Sequence, residues 1–213
     1  SLTIDGAGKT VQMHRLKKSL ESRGMTVATR SFPVYTSYFG AQIGEYLAGK
    51  RVRADELDAR SMALWFAMDR FADFRDYVEG KTDVLLINRY VLSNAVYQSI
   101  RDRDREDLYD WVMELEHGQL GLPEPDIYLV LDVALPQAGR NVDKKGRRDY
   151  VGEGKDVYEQ AQGIQERARQ KYQDYAAAAR NIALIPCMNG GVLMSEREVA
   201  RCIEETLFER GIF

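Results

Sequence analysis

The chain has 213 residues, of which 45% are hydrophobic and 30% are charged, so it can bury one sizeable core and is not intrinsically disordered. Its 30 basic and 33 acidic side chains give a formal net charge of -3. This balance excludes a protein that coats nucleic acid with a basic surface, and it means that any bound anion must be held at a local site.

Helical and strand-like segments alternate along the chain, which is the pattern of a parallel sheet covered by helices. After a short opening strand, the predicted strands are Met25–Phe32, Asp83–Asn88, Asp126–Val133 and Ile182–Cys187. The predicted helices are Thr10–Arg23, Ser37–Leu47, Ala54–Val78, Leu92–Gln119 with a break, Val157–Ala179 and Ser195–Arg210. In the third helix an apolar stripe is predicted to be mostly core: Leu57, Leu64, Met68, Phe71 and Phe74. We therefore expect one α/β domain over residues 1–213, with a five-stranded parallel sheet.

One segment, residues 139–156, has few side chains that could join a core. Its basic residues, including Arg147 and Arg148, are spaced by glycines. We predict that this segment forms a short basic lid, although Lys144 and Lys145 are as consistent with an ordinary solvated surface.

Cysteine content and hydropathy bear on location. Cys187 and Cys202 are too few for a disulfide framework and lack metal-site spacing, so we interpret them as reduced core residues. No apolar run reaches the roughly 20 residues that cross a bilayer, and no leader is recognisable. We expect a cytoplasmic protein without a membrane partner. The glycine loop comes so early that we expect the natural start to lie upstream of Ser1.

The stretch "TIDGAGKT" matches the phosphate-loop pattern G-x-x-x-x-G-K-[ST] at every fixed position except the first, where Thr3 replaces glycine. We expect Lys9 to reach the β and γ phosphates of ATP and the Thr10 hydroxyl to bind Mg²⁺. The backbone N–H groups expected to approach the phosphates are those of Gly6, Ala7 and Gly8. The alternative is a tight turn that merely precedes a helix. An Asn-Lys-x-Asp motif, which would favour a GTPase, is missing from the sequence.

Two further regions could bind an acceptor nucleotide. Phe66 and Arg70 are four residues apart and share a helix face, so the ring could stack on a base while the guanidinium holds a phosphate. Each is also a common residue of a core or a salt bridge. Arg89 and Asn94 follow a predicted strand, and the carboxyl ends of parallel strands line the ligand crevice. We expect Arg89 near phosphates and Asn94 at a base edge, whereas Tyr97 is as consistent with packing.

Together these motifs resemble the thymidylate kinase family. Seven motifs occur here in the same order as in that family: "DGAGKT", "FP" at Phe32 and Pro33, "FAMDR", "NRYVLSNAVYQ", "GLPEPDIYLVLDV", "KKGRRDY" and "DVYE". The resemblance covers nearly the whole chain. It implies Mg²⁺-assisted transfer of the γ-phosphoryl group of ATP to dTMP, on a P-loop NTPase-type five-stranded parallel sheet flanked by helices, in a homodimer.

The resemblance also implies residue roles. Phe66 is similar to the thymine-stacking aromatic residue, and Asp5 to the carboxylate that contacts the acceptor sugar. The implied catalytic residues are Lys9, Arg89, Arg147 and Arg148. The implied ATP-binding residues are Asp5, Gly6, Ala7, Gly8, Lys9 and Thr10, with Asn189 and Gly190 beside adenine. The implied dTMP-binding residues are Asp5, Phe32, Pro33, Phe66, Arg70, Arg89, Asn94 and Tyr97.

The chain departs from the family pattern on the acceptor side. Asn88 stands where the family's Asp-Arg-Tyr motif has a carboxylate, so this second candidate Mg²⁺ ligand brings no negative charge. Val34 and Tyr35 stand where many members have an arginine, for which Arg30 is a candidate substitute. These departures leave two alternatives open: a kinase for another nucleoside monophosphate, and a nucleotide-binding protein with little or no turnover.

Overall fold

The structure is a computed structural model that describes residues 1–6, 8–50, 56–101, 106–134 and 163–213, with the backbone alone for residues 3–6. Ala7 and the predicted lid at residues 139–156, including Arg147 and Arg148, lie outside the described residues. In the part that is described, no helix is long and apolar enough to span a membrane.

One parallel sheet organises the chain. Its strands are β1 Leu2–Gly6, β2 Val27–Ser31, β3 Val84–Asn88, β4 Ile127–Asp132 and β5 Ile182–Pro186. Their order is β2-β3-β1-β4-β5, and every neighbouring pair is parallel. The chain first builds the sheet on one side of β1 and then on the other, so strand order reverses at β1. Ligands bind at such a reversal, outside the carboxyl ends of the strands.

Helices connect the strands. They are α1 Lys9–Ser22, α2 Tyr38–Leu47, α3 Ala59–Phe74, α4 Val91–Arg101, α5 Tyr109–Met113, α6 Ile164–Ala178 and α7 Glu196–Glu209. A π-helical segment, Glu114–Gln119, continues α5. A short hairpin, β6 Met188–Asn189 and β7 Val192–Leu193, follows β5 and was not predicted from the sequence. The predicted alternation of helices and strands around a parallel sheet is confirmed.

The core lies on both faces of the sheet. In β3, Leu85 and Ile87 join the apolar cluster beneath α4 and α6, whereas Val84 and Leu86 join the cluster beneath α1 and α7. Successive side chains of a strand point to opposite faces of the sheet. A continuous run of apolar residues therefore places apolar side chains in the core on both faces.

The boundaries predicted for the third helix were too wide. Helix α3 begins at Ala59, because the Asp58 side chain caps it by accepting a hydrogen bond from the Ser61 N–H at 2.9 Å. It ends at Phe74, four residues before the predicted end at Val78.

The prediction that the α3 apolar stripe is mostly core was wrong for two members. Leu64 is 43% exposed and Phe71 is 40% exposed, whereas Phe74 is 7% exposed. Helix α3 packs against α2 and α4, and its remaining face lies at the surface of this chain.

Candidate active site

The first helix begins directly after the central strand. β1 ends at Gly6, and α1 starts at Lys9 with Gly8 as its N-cap. Gly8 has a φ of 85°, a left-handed conformation that favours glycine. Its carbonyl oxygen accepts hydrogen bonds from the N–H groups of Val11 at 3.1 Å and Gln12 at 3.3 Å. A helix N-terminus attracts anions through its N–H groups and its dipole, so this end of the sheet is suited to phosphate.

Lys9 and Thr10 occupy the first positions of α1. The Lys9 side chain is 6% exposed, and Thr10 is exposed to solvent. The dipole of a helix does not stabilise a cation at the N-terminus. A bound anion would therefore be a favourable partner for the Lys9 side chain.

The end of β3 lies beside the end of β1, since Ile4 is in register with Asn88. The Asn88 Nδ2 donates a long hydrogen bond to Ser31 Oγ at 3.4 Å, and its buried Oδ1 has no hydrogen-bond partner among the described residues. Arg89 follows with a φ of 59° and is half-buried. The parallel register thus brings Arg89 and Lys9 to the same edge of the sheet.

The loop after β2 is fixed from one side by Asp69 of α3. The Val34 N–H donates to Asp69 Oδ2 at 2.8 Å, and the Ser37 hydroxyl donates to Asp69 Oδ1 at 2.8 Å. Asp69 is 1% exposed. Burial raises its pKa above the ordinary value, and the hydrogen bonds from Val34 and Ser37 oppose that rise only in part.

The same loop is held from the other side by α2. A Cβ added at Gly40 would lie 1.9 Å from the Val34 carbonyl oxygen, and one added at Gly44 would lie 3.2 Å from Cδ1 of Tyr35. The loop of residues 32–37 is therefore clamped between α2 and α3. Helix α2 can approach it closely because it presents glycine.

The two phenylalanines predicted to bind dTMP have different surroundings. Phe32, which precedes Pro33 through a cis peptide bond, is 3% exposed and packs against Phe74 and Tyr90, with ring centroids 5.9 Å and 6.2 Å away. Phe66 is half-buried beside a small apolar cluster between α2 and α3. Only Phe66 keeps a partly accessible ring.

Arg70 and Asn94 meet at a carboxylate. Arg70 is 2% exposed and donates from Nε and Nη2 to the two oxygens of Glu116, at 2.5 Å and 2.6 Å. Asn94 Nδ2 donates to Glu116 Oε1 at 2.8 Å and to the Ala63 carbonyl oxygen at 3.1 Å. Burial disfavours the Arg70 cation, but the charge and hydrogen bonds of Glu116 outweigh burial and raise the pKa of Arg70. Sequence reasoning did not single out Glu116.

The remaining predicted residues lie at separate places. Tyr97 of α4 is half-buried against the cluster beneath α4 and α6. Asn189 ends β6 and Gly190 begins the turn of the β6–β7 hairpin; both residues are exposed, and Gly190 has a φ of 54°. Arg30, the candidate substitute for the missing arginine, forms an ion pair with Asp73 of α3 at 2.8 Å.

Comparison with known proteins gives the family. The thymidylate kinase family model matches residues 4–190. A thymidylate kinase of Mycobacterium tuberculosis is 32% identical over 183 residues, which cover 82% of this chain and 83% of the relative. The chain belongs to the thymidylate kinase family. It is therefore a nucleoside monophosphate kinase by family.

Other thymidylate kinases agree with this assignment. A probable thymidylate kinase of Methanosphaera stadtmanae is 28% identical over 185 residues, which cover 85% of each chain. A solved thymidylate kinase structure from Candida albicans matches with a TM-score of 0.70 at 20% identity, over 99% of this chain and 91% of that chain. At that identity the match shows the fold, the P-loop NTPase-type α/β arrangement of the family.

The donor set at the strand ends fits Mg²⁺ held mainly by substrate. Among the described residues, no group of three or more His, Cys, Asp or Glu side chains could hold a metal ion. Kinase Mg²⁺ is bound largely by phosphates with one or two oxygen ligands from the protein. The exposed Thr10 hydroxyl and the buried Asn88 Oδ1, which lacks a partner in the described part of the chain, are oxygen donors of this kind.

Proposed function

We propose that this protein phosphorylates dTMP to dTDP with ATP and Mg²⁺, at the carboxyl end of its parallel sheet. Family membership supports the reaction. The main support for the position of the phosphate site is the junction of β1 and α1, where the left-handed Gly8 and the buried Lys9 form a helix N-terminus suited to phosphate.

The donor side comprises the start of α1. Backbone N–H groups after Gly6, together with Lys9, hold the β and γ phosphates of ATP. Asn189 at the end of β6 and Gly190 in the turn that follows support adenine. Thr10 and Asn88 would hold Mg²⁺ as its protein-side oxygen ligands, and the bound ion would neutralise charge on the phosphates.

The acceptor side comprises α3, α4 and the loop after β2. Phe66 stacks on the base, and Arg70, Asn94 and Tyr97 surround it. Phe32 and Pro33 shape the wall of this subsite, and Asp5 contacts the sugar. Arg89, at the neighbouring strand end, lies between the acceptor and donor phosphates.

Phosphoryl transfer requires in-line positioning and positive charge around the transferred group. Lys9 and Arg89 supply that charge from the sheet, and Arg147 and Arg148 supply it from the lid at about residues 139–156. A lid also excludes water, which would otherwise accept the phosphoryl group. Residues 1–213 act as one domain of this kind, in a cytoplasmic homodimer.

A panel of monophosphates tests the proposal. ADP release, measured with dTMP, dUMP, dCMP and no acceptor, should be stimulated most by dTMP. Asn88, Val34 and Tyr35 alter the acceptor side and favour a second candidate, a kinase for another nucleoside monophosphate. Stimulation by that acceptor in place of dTMP would support this candidate, and ATP binding without turnover would contradict both.

A further inference from the structure

We infer that Glu116 is a positioning residue that sets the preference for the acceptor base: it holds Arg70 and Asn94 in the orientation that recognises a 4-oxopyrimidine. The inference rests on the proposed function, because it concerns the acceptor subsite of that reaction. It adds a residue from the π-helical segment to a subsite that the sequence places on α3 and α4.

The contacts of Glu116 fix both partners. Its carboxylate accepts two hydrogen bonds from Arg70, through Nε and Nη2, and one from Asn94 Nδ2. A bidentate guanidinium–carboxylate pair is planar and resists rotation. Since the pair uses the Nε side of the guanidinium, the Nη1 group lies on the side away from Glu116.

The Asn94 amide is oriented by its two acceptors. Glu116 Oε1 and the Ala63 carbonyl oxygen can accept only from the amide nitrogen, so the side-chain oxygen must point elsewhere. Asn94 is 4% exposed, and its Oδ1 has no hydrogen-bond partner within the described residues. A buried acceptor of this kind needs a donor.

These orientations select a base by its hydrogen-bonding edge. Thymine and uracil present a donor at N3 and an acceptor at O4, which complement the Asn94 oxygen and the Arg70 N–H groups. Cytosine presents an acceptor at N3 and a donor at its amino group, so both pairings would fail. Sites that leave buried polar groups unpaired discriminate strongly between ligands.

A purely structural role explains Glu116 less well. Glu116 is 0% exposed and Arg70 is 2% exposed, and removing two charges from water costs about as much as their attraction returns. An apolar pair of similar volume would stabilise the same place at least as well. The neighbouring Glu114 of the same segment is exposed, so only Glu116 is directed into this network.

The test compares Glu116→Gln with the matched control Glu114→Gln. Glutamine keeps the size of Glu116 but can donate to Asn94 Oδ1, which favours a reversed amide. We expect a rise of about 10- to 100-fold in the dTMP KM, a fall of at least about tenfold in the preference for dTMP over dCMP, and an unchanged ATP KM. Glu114→Gln should match the wild type. The inference would be overturned if Glu116→Gln had the wild-type dTMP KM and the wild-type preference for dTMP over dCMP. It would also be overturned if the KM values for dTMP and ATP rose equally.

A second measurement does not depend on the folding of that variant. In the wild-type protein, the Arg70 Nε–H resonance, assigned by its loss in Arg70→Lys, should shift when dTMP is added and respond less to dCMP. An unresponsive Arg70 resonance in the presence of saturating dTMP would overturn the inference. If the wild-type protein binds dTMP but does not turn it over, the proposed reaction fails, while this resonance still reports whether Arg70, in the orientation that Glu116 holds, faces the acceptor base.

Discussion

Replacement of Gly40 by alanine should displace the loop of residues 32–37. The added Cβ would lie 1.9 Å from the Val34 carbonyl oxygen and 2.3 Å from its carbonyl carbon. Both are backbone atoms, which cannot yield by changing a rotamer. Because Cβ atoms essentially never come within 3.0 Å of such atoms, the loop must retreat by at least about 1.1 Å. The hydrogen bond from Val34 N–H to Asp69 would then stretch or break.

The magnitudes follow from this displacement. Overpacking costs about 1–3 kcal/mol, and the better helix propensity of alanine returns at most about 1 kcal/mol. With a mid-range overpacking cost of about 2 kcal/mol the net loss is about 1–2 kcal/mol, which for a chain of this size lowers the Tm by roughly 2 to 8 °C. A misplacement of about 1 Å next to a reacting substrate can reduce the rate about 100-fold, so kcat/KM for dTMP should fall by about 10- to 100-fold. The ATP KM should stay within about twofold, because α1 is untouched.

The control is Gly44→Ala on the same helix. Its Cβ would meet the ring of Tyr35, at 3.2 Å from Cδ1 and 3.5 Å from Cε1, and a side-chain ring can shift by a few tenths of an ångström. We therefore expect a Tm equal to or above that of the wild type and nearly normal dTMP kinetics. Thermal unfolding and coupled ADP-release kinetics measure both variants. If Gly40→Ala had wild-type kcat/KM for dTMP, the loop would not shape the acceptor subsite.

Three other variants test other parts of the site. Lys9→Ala should abolish phosphoryl transfer with an unchanged circular dichroism spectrum. The control Lys17→Ala, on the same helix, loses a surface ion pair with Glu21 and should remain active. Equal rates in the two variants would show that Lys9 is not a catalytic residue. Asn88→Asp should raise activity in a Mg²⁺ titration, because it adds a negative charge for the cation. If activity did not rise, the amide at position 88 would not be limiting the use of Mg²⁺. Asp69→Asn should change the pH dependence of stability. Burial raises the pKa of Asp69, so the folded wild type binds more protons than the unfolded chain above pH 3.8 and loses stability as pH rises through the raised pKa. Chemical unfolding at several pH values should therefore show that the wild type loses free energy of unfolding relative to Asp69→Asn as the pH rises from 3.8 through the raised pKa. A difference that does not change with pH would contradict the raised pKa.

Local signals were sufficient for the fold. The glycine loop and the apolar runs of β3 and β4 each carry their information within a few residues, so strand alternation and a parallel sheet could be predicted. The errors came from long-range packing. An amphipathic stripe on α3 shows which face is apolar but not whether another element of the chain covers it, and Leu64 and Phe71 stay exposed.

The acceptor side was only partly predictable for a related reason. Phe66 and Arg70 share a helix face by simple spacing, so the sequence could single them out as candidates. Glu116 lies 46 residues from Arg70 and 22 from Asn94, and it sits on a π-helical segment, whose wider turn shifts side chains away from the usual helical period. No short pattern in the sequence indicates that this glutamate is buried.

The left-handed backbone at Arg89 limits how this protein can be engineered for heat resistance. A residue with a Cβ pays roughly 1–2 kcal/mol for that conformation, and glycine does not. A design procedure that scores the backbone alone would therefore choose Arg89→Gly. That substitution would remove the cation at the end of β3, so position 89 should be held constant in any stabilised version.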